Sequence, residues 1–221
     1  MRSLSRLEVR RVDRIAIDQL GVSGLVLMEN AGRGAADAIA QKWGPSISVA
    51  IVAGAGNNGG DGFVVARHLA MRGAKVATFL VAPLEKISGD AQANLAILQK
   101  LHHDIHEIPA AEMDSLGQRL RKFDVIVDAI GGTGIQGAIR GQLAAAVEQV
   151  NAAGRPIVAI DIPTGLDCDT GLASGPAIRA SMTVTFVASK LGFDAPGAAQ
   201  YTGDVIVADI GIDPDEVLAK V

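Results

Sequence analysis

The chain has 221 residues, with 20 Lys and Arg against 24 Asp and Glu; the net charge of -4 gives no electrostatic case for binding nucleic acid or an anionic membrane surface. Apolar residues make up 49% but aromatics only 3%, so the core has to be built from Val, Ile, Leu and Ala, a composition suited to parallel strands buried on both faces. The length fits one domain over 1–221, the lone Cys168 excludes a disulfide framework and points to a reducing, cytoplasmic setting, and no apolar run is long enough to span a membrane.

Two helices are predicted first, over 5–20 and 24–42, separated at Gly21 and Gly24. The arginines at 2, 6, 10, 11 and 14 look like an organellar presequence, but Glu8, Asp13 and Asp18 are interspersed, and such presequences are poor in acids. A structural helix is the better reading. Strands and helices then alternate, with strands at 47–54, 75–82, 104–108, 124–130, 156–162, 182–187 and 204–209. Helices are expected near 60–72, 88–102, 111–122, 141–153 and 213–220. That order predicts an α/β protein, a three-layer α/β/α Rossmann-like sandwich around a mostly parallel sheet with right-handed crossovers. From about residue 170 the long helices cease, so the last strands are expected to be antiparallel or at an edge.

Ligands of such sheets bind beyond the carboxyl ends of the strands. The first strand runs into Gly54-Ala55-Gly56-Asn57-Asn58-Gly59-Gly60-Asp61-Gly62 and then a helical pattern. A strand feeding a glycine-rich turn and a helix N-terminus makes an anion site, because unpaired N–H groups and the helix dipole face outward there. Gly54, Gly56 and Gly59 satisfy the Gly-x-Gly-x-x-Gly pattern, which alone is a weak signal. A dehydrogenase would place a ribose-binding acid at the end of its second strand. Here that strand ends Phe79-Leu80-Val81-Ala82, and the next acid, Glu85, lies beyond Pro83. A P-loop would need Lys and then Ser or Thr after its last loop glycine, where this chain has Gly60 and Asp61. Other strand ends carry Asp128, Asp161 and, after Thr183-Val184-Thr185-Phe186, Lys190.

These segments together resemble one family. GNNGGDG at 56–62, VDAI at 127–130 with GTG at 132–134, DIPTGLD at 161–167, TVTF with Lys190, and LMENAG at 27–32 are similar to the NAD(P)H-hydrate epimerases, the YjeF N-terminal domain family. The resemblance implies a Rossmann-like fold, a homodimer, and interconversion of the R and S forms of hydrated NADH and NADPH beside a bound potassium ion. It implies substrate contacts from Asn57, Asn58, Gly59, Gly60 and Asp61, from the loop Gly132, Thr133, Gly134, Ile135, Gln136, Gly137 and Ala138, and from Asp161. It implies potassium ligands at Asn58, Asp128 and Thr164. Three positions depart from the family pattern: Gly131 in place of Phe or Leu, which thins one pocket wall, Thr164 in place of Ser, which keeps the hydroxyl, and Leu191 in place of Pro. Some members carry a further dehydratase domain; this chain ends at Val221, so that activity is expected to be absent.

The residues themselves support a cation. Asp61, Asp128 and Asp161 are expected to converge where a pyrophosphate binds, and at about 4 Å with an effective dielectric near 20 each like-charge pair costs roughly 4 kcal/mol. Helix dipoles offset only about 0.3–1 kcal/mol each. Lys190 and a hard cation held by oxygen ligands would supply the missing positive charge. Asp161 is the first candidate for acid/base catalysis, Lys190 a candidate for steering protonation, and Asp128 a cation ligand. Plainer readings stand beside these: Asp61 as a helix-start acid favoured by the dipole, Asp128 and Asp161 as caps for loop N–H groups, Lys190 as a solvated lysine. Met28-Glu29-Asn30 is read as support beneath the site, and Cys168, between acids, as a poor nucleophile. Two rival functions remain, a non-catalytic nucleotide-binding or scaffold module and an NAD(P)-dependent oxidoreductase. The missing second-strand acid and the absence of a Tyr-x-x-x-Lys pair speak against the latter.

Overall fold

Short runs of Val, Ile and Ala bounded by glycines form the strands, and the alternation with amphipathic segments fixes the order. The computed structural model describes residues 2–219. In chain order these form α1 (Arg6–Asp18), α2 (Gly24–Trp43), β1 (Ser48–Ala53), α3 (Asn57–Met71), β2 (Lys75–Leu80), α4 (Gly89–Lys100), β3 (Asp104–Glu107), α5 (Leu116–Leu120), β4 (Val125–Ala129), α6 (Gly141–Ala152), β5 (Ile157–Ile160), β6 (Met182–Phe186), α7 (Ala199–Thr202), β7 (Asp204–Ala208) and α8 (Pro214–Ala219). Of the helix expected over 213–220, residue 220 lies outside the described residues.

The strands form one sheet in the order β3-β2-β1-β4-β5-β6-β7, with every neighbouring pair parallel. Alternate residues of the central strands face two separate cores. Ile51, Val127 and Ile160 pack with Val12, Ile39, Phe63 and Leu98 of α1 to α4. Val52, Ile126 and Ala159 pack with Leu116, Leu120, Val147 and Val150 of α5 and α6. This is the expected three-layer α/β/α arrangement, and the sequence of neighbours reverses between β1 and β4, where such folds open a crevice.

Two expectations need correction. The last strands are parallel, not antiparallel, because the segment from 187 to 203, with a 3-10 turn at Leu191–Asp194 and α7, carries the crossover without a long helix. The edge part of that expectation holds for β7, which leaves Val205 and Ile206 exposed. The helix after the glycine run begins at Asn57 rather than 60. The glycines inside it serve close packing: a Cβ on Gly62 would stand 2.6 Å from that of Ala129, and one on Gly59 2.1 Å from the Gly54 carbonyl oxygen. The stretch expected as one helix over 111–122 is a 3-10 turn at Ala110–Ser115 followed by the short α5.

The N-terminal helix is tied to the rest of the molecule. Ser5 and Glu8 form a reciprocal capping box, with the Ser5 N–H donating to Glu8 Oε2 at 2.9 Å. The Leu4 N–H donates to the Ser189 carbonyl at 2.8 Å, and the Leu191 N–H donates back to the Leu4 carbonyl at 3.0 Å. Arg6, almost fully buried, pairs with Asp167 at 2.8 Å. Against the burial that would raise it, hydrogen bonds from Thr170, Arg6 and Asp169 hold the Asp167 carboxyl at about 2. No helix among the described residues is long and apolar enough to cross a membrane.

Candidate active site

A cavity of about 830 Å³ opens at the carboxyl ends of β1, β4 and β5, at the point where strand order reverses. Its floor and walls come from several elements, among them α2 through Leu27, Met28 and Ala31. The glycine turn gives Gly54 to Asn58 and Asp61, the loop after β4 gives Ile130 to Ile135, and α1 gives Val9, Arg10, Asp13 and Ile17. Val81, Ala82, Pro83 and Lys86 follow β2, and Asp161, Phe186 and Val187 stand at the ends of β5 and β6. No acid after β2 reaches the cavity until Asp90, so a ribose clamp of the dehydrogenase kind is not present in this wall.

The glycine turn meets the helix with Gly56 as N-cap, and no side chain caps it. The first N–H groups of α3 are therefore open to an anion. Of the expected contact residues in this segment, Asn57, Asn58 and Asp61 line the cavity. Gly59 and Gly60 are buried in packing, the latter under Met28, whose Sδ would lie 2.6 Å from an added Cβ. Asp61 is the fifth residue of α3, beyond the first turn, so a dipole-favoured helix-start role does not describe it. Burial, then the charges of Asp161 and Asp13, push its carboxyl well above the ordinary carboxylate range.

Asp161 sits in a γ-turn. Its φ is +66°, and the Ile162 N–H donates to the Ile160 carbonyl at 2.8 Å across it. A second such turn follows β6, with Val187 at φ +68° and the Ala188 N–H bonded to the Phe186 carbonyl at 2.7 Å. A β-branched residue in this region is strained, and such strain, of order 1–3 kcal/mol per residue, clusters at functional sites. The second turn directs backbone oxygens at Lys190. Its ammonium, fully buried, donates to Thr185 Oγ1 at 2.7 Å, to the Phe186 carbonyl at 2.8 Å and to the Ala188 carbonyl at 3.2 Å. It also stands 3.0 Å from Asp161 Oδ1. The lysine is thus a buried counter-charge beneath Asp161, not a solvated residue, and it does not line the cavity. The other carboxylate oxygen of Asp161 accepts from the Thr133 N–H at 3.2 Å.

Asp128 is different. It lies within β4, is fully buried, and its partners are all neutral. The Thr164 hydroxyl donates to Oδ1 at 2.7 Å, the Thr164 N–H to Oδ2 at 2.9 Å and the Ile130 N–H to Oδ1 at 3.2 Å. Burial raises this carboxyl to about 6 in spite of those bonds. Close to this floor, Asn58 is buried with neither Oδ1 nor Nδ2 hydrogen-bonded. An orphaned buried amide costs about 1–3 kcal/mol. The Asp128 carboxyl, the Thr164 hydroxyl bonded to it and the unpaired amide oxygen of Asn58 are all oxygen donors, the type of ligand a hard monovalent cation takes. The expected convergence of Asp61, Asp128 and Asp161 is therefore redrawn. Asp61 and Asp161 share the cavity, and Asp128 lies below it.

In the loop after β4, Gly132, Thr133, Gly134 and Ile135 line the cavity, whereas Gln136, Gly137 and Ala138 do not. A Cβ on Gly132 would come 2.7 Å from Asp161 Oδ2 and 3.2 Å from Asn58 Oδ1, so this glycine admits both side chains to one spot. The wall expected to be thin at Gly131 is filled by Ile135, whose Cδ1 would lie 2.2 Å from a Cβ there. Behind the site, Asn30 donates to the Ile210 carbonyl at 2.9 Å and Glu29 pairs with Arg67 and His68, the supporting role read for that motif. Cys168 is buried, and that burial raises its thiol to about 11. Arg10, Asp13, Lys86 and Arg140 also line the cavity and carry no motif that marks them in the sequence.

The family model described as the N-terminus of YjeF-related proteins matches residues 24–192. The chain belongs to this family. The backbone superposes on the crystal structure of yeast ynu0 with a TM-score of 0.79 over 97% of this chain and 95% of that one, at 24% identity, so the two share a fold. Among YjeF-related proteins, the NAD(P)H-hydrate epimerase of Rhodopirellula baltica is 41% identical over 96% of this chain and 85% of its own length. That of Pirellula staleyi is 41% identical over 96% and 93%. The bifunctional NAD(P)H-hydrate repair enzyme Nnr of Moorella thermoacetica is 43% identical, and there the chain spans 41% of the relative's length.

Proposed function

We propose that this protein interconverts the R and S forms of hydrated NADH and NADPH. The names of the full-length relatives support the substrate and reaction. Within the molecule the observation that carries it is Asp161, raised into the cavity by its γ-turn over a buried lysine, with a second carboxyl, Asp61, pushed toward its protonated form beside it. Inversion at a carbon bearing a hydroxyl next to the ring nitrogen needs a proton donor for the departing oxygen and an acceptor for the entering water. Carboxyl groups of unequal proton affinity meet that need. Asp161 acts in acid/base catalysis, and Lys190 compensates its charge from below. The coenzyme's pyrophosphate lies on the open N–H groups of α3, with Asn57, Asn58, Asp61 and the loop Gly132 to Ile135 around the nicotinamide half. Gly59, Gly60 and the segment Gln136 to Ala138 act by shaping these contacts. A scaffold module has no use for the strained turn and the buried ion pair that face this cavity.

The proposal includes potassium, held by Asn58 Oδ1, the Asp128 carboxylate and the Thr164 hydroxyl. An ion held by these residues would supply the positive charge that favours the ionised form of Asp128. The proposal extends to a cytoplasmic homodimer. The free thiol of Cys168 and the exposed Leu7, Leu20, Leu25 and Val26 on and beside α1 and α2 support that part, and sedimentation velocity tests it. The reaction itself is tested by adding the protein to purified R hydrate and following the S form by chromatography, in potassium and in tetramethylammonium buffers. Conversion is expected, faster in potassium. Tight dinucleotide binding with no conversion above the uncatalysed rate would contradict the proposal.

A further inference from the structure

The wall of the cavity formed by α1 lies outside the segment matched by the family model, which starts at residue 24. Val9, Arg10, Asp13 and Ile17 recur at helical spacing on the face of α1 turned to the cavity. Arg10 reaches the Thr133 carbonyl at 3.4 Å, so this face meets the same loop that bonds Asp161. The helix start is fixed through Leu4 to the segment after β6 that carries Lys190, and through Arg6 to Asp167. One carboxyl on this wall, Asp13, is half-buried and feels Asp161 and Lys190 directly. Burial, then the charge of Asp161, raise it to about 6 against the pull of Lys190. The other charged groups facing the same space are Asp61, Lys86, Asp90, Arg10 and Arg140.

We propose that Asp13 is a catalytic carboxylate of this site, exchanging a proton with the hydroxyl on one face of the ring while Asp161 serves the other. This rests on the epimerase reading. Inversion requires groups that reach both faces of the carbon, and two carboxyls from different elements, Asp13 on α1 and Asp161 after β5, line this cavity. In one direction the Asp13 carboxyl protonates the departing hydroxyl. The C–O bond breaks with its electron pair on oxygen, water leaves, and the ring-nitrogen lone pair closes the C=N bond of an iminium. Water then adds to the other face, the C=N pair returns to nitrogen, and Asp161 takes the proton. One water leaves and one enters, no oxidant is needed, and the reverse reaction starts from the protonation state so produced. The pair works while it holds one proton, so activity declines as that proton is lost.

Asp13→Asn keeps the shape of the residue and removes its acid. Relative to wild type, kcat should fall by about 10²–10⁴ with KM changed by less than about threefold. Wild type is expected to show a limb near pH 6 in kcat/KM, and that limb should be absent from the residual activity of the Asn variant. Asp13→Glu, which restores a carboxyl, should recover at least about tenfold over the Asn variant and show a shifted limb. An Asn variant within about threefold of wild type in kcat, with the limb unmoved, would overturn the assignment. Should the Asn variant not fold, the Glu variant decides: a moved limb supports Asp13 and an unmoved limb overturns it. An inactive wild-type protein would instead count against the epimerase reading itself.

Discussion

Asp128 and Asp161 carry the same sequence signature, an aspartate at the end of an apolar parallel strand, yet they occupy opposed environments. Register explains the difference. Asp128 pairs with Val52 on one side and Ala159 on the other, inside the sheet, whereas Asp161 stands two residues beyond Ala159, past the last ladder pair of β5. At about 3.3 Å per residue that offset moves a carboxylate from the packed floor into the cavity. The first is surrounded by neutral donors from Thr164 and Ile130 and ties the loops after β4 and β5 to the floor of the site. The second is lifted by a strained turn over a buried ammonium. Strand-end position nominates an acid for function, and the level relative to its neighbours decides which function.

Removing each acid separates the two roles. Asp161→Asn should lower kcat by about 10²–10⁴ while leaving dinucleotide binding in place. A variant with near-normal turnover would erase the distinction. Lys190→Met should destabilise by about 3–5 kcal/mol in urea melts, because it strands a part-buried carboxylate and removes the ammonium from three hydrogen-bond acceptors. Adding Asp161→Asn to it should cost less than the two single losses summed. Asp128→Ala should cost about 1–3 kcal/mol for the buried Thr164 N–H left unpaired, since the hydroxyl retains the Gly131 carbonyl as acceptor, with Tm falling by about 2–4 °C per kcal/mol, and should abolish the potassium response.

The smallest effect should carry the opposite sign. Folding raises the Asp61 carboxyl above its unfolded value, so ionising it costs stability. The cost is absent at low pH, where the group is protonated in both states, and grows as pH rises above the unfolded value near about 4. Asp61→Asn should therefore raise Tm at pH 8, by about 2–4 °C for each kcal/mol relieved, and leave it unchanged at pH 4. A gain that persists at pH 4 would assign the stabilisation to something other than charge burial.

Much of this was legible from the chain alone, for identifiable reasons. Strands such as Val49 to Ala53 announce themselves because parallel strands buried on both faces are continuously apolar. The glycine turn is visible because only glycine tolerates the approach of Gly59 to the Gly54 carbonyl, although the same glycines hid the true start of α3 at Asn57. The level of Asp128 against Asp161 was not legible, since it depends on strand register. The burial of Lys190 depends on a γ-turn at Val187 that no residue preference signals. Asp13 sits on a helix whose mixed arginines and acids marked it only as structural, and only the fold turns that face toward the cavity. The parallel pairing of β7 was missed because its crossover contains only the short α7.

The most direct test is a crystal structure of the Asp161→Asn variant soaked with hydrated NADPH. The account predicts the pyrophosphate on the N-terminus of α3 and the hydroxyl-bearing ring carbon within hydrogen-bond reach of residue 161. A dinucleotide seated elsewhere, or one whose nicotinamide ring points away from the ends of β4 and β5, would contradict it.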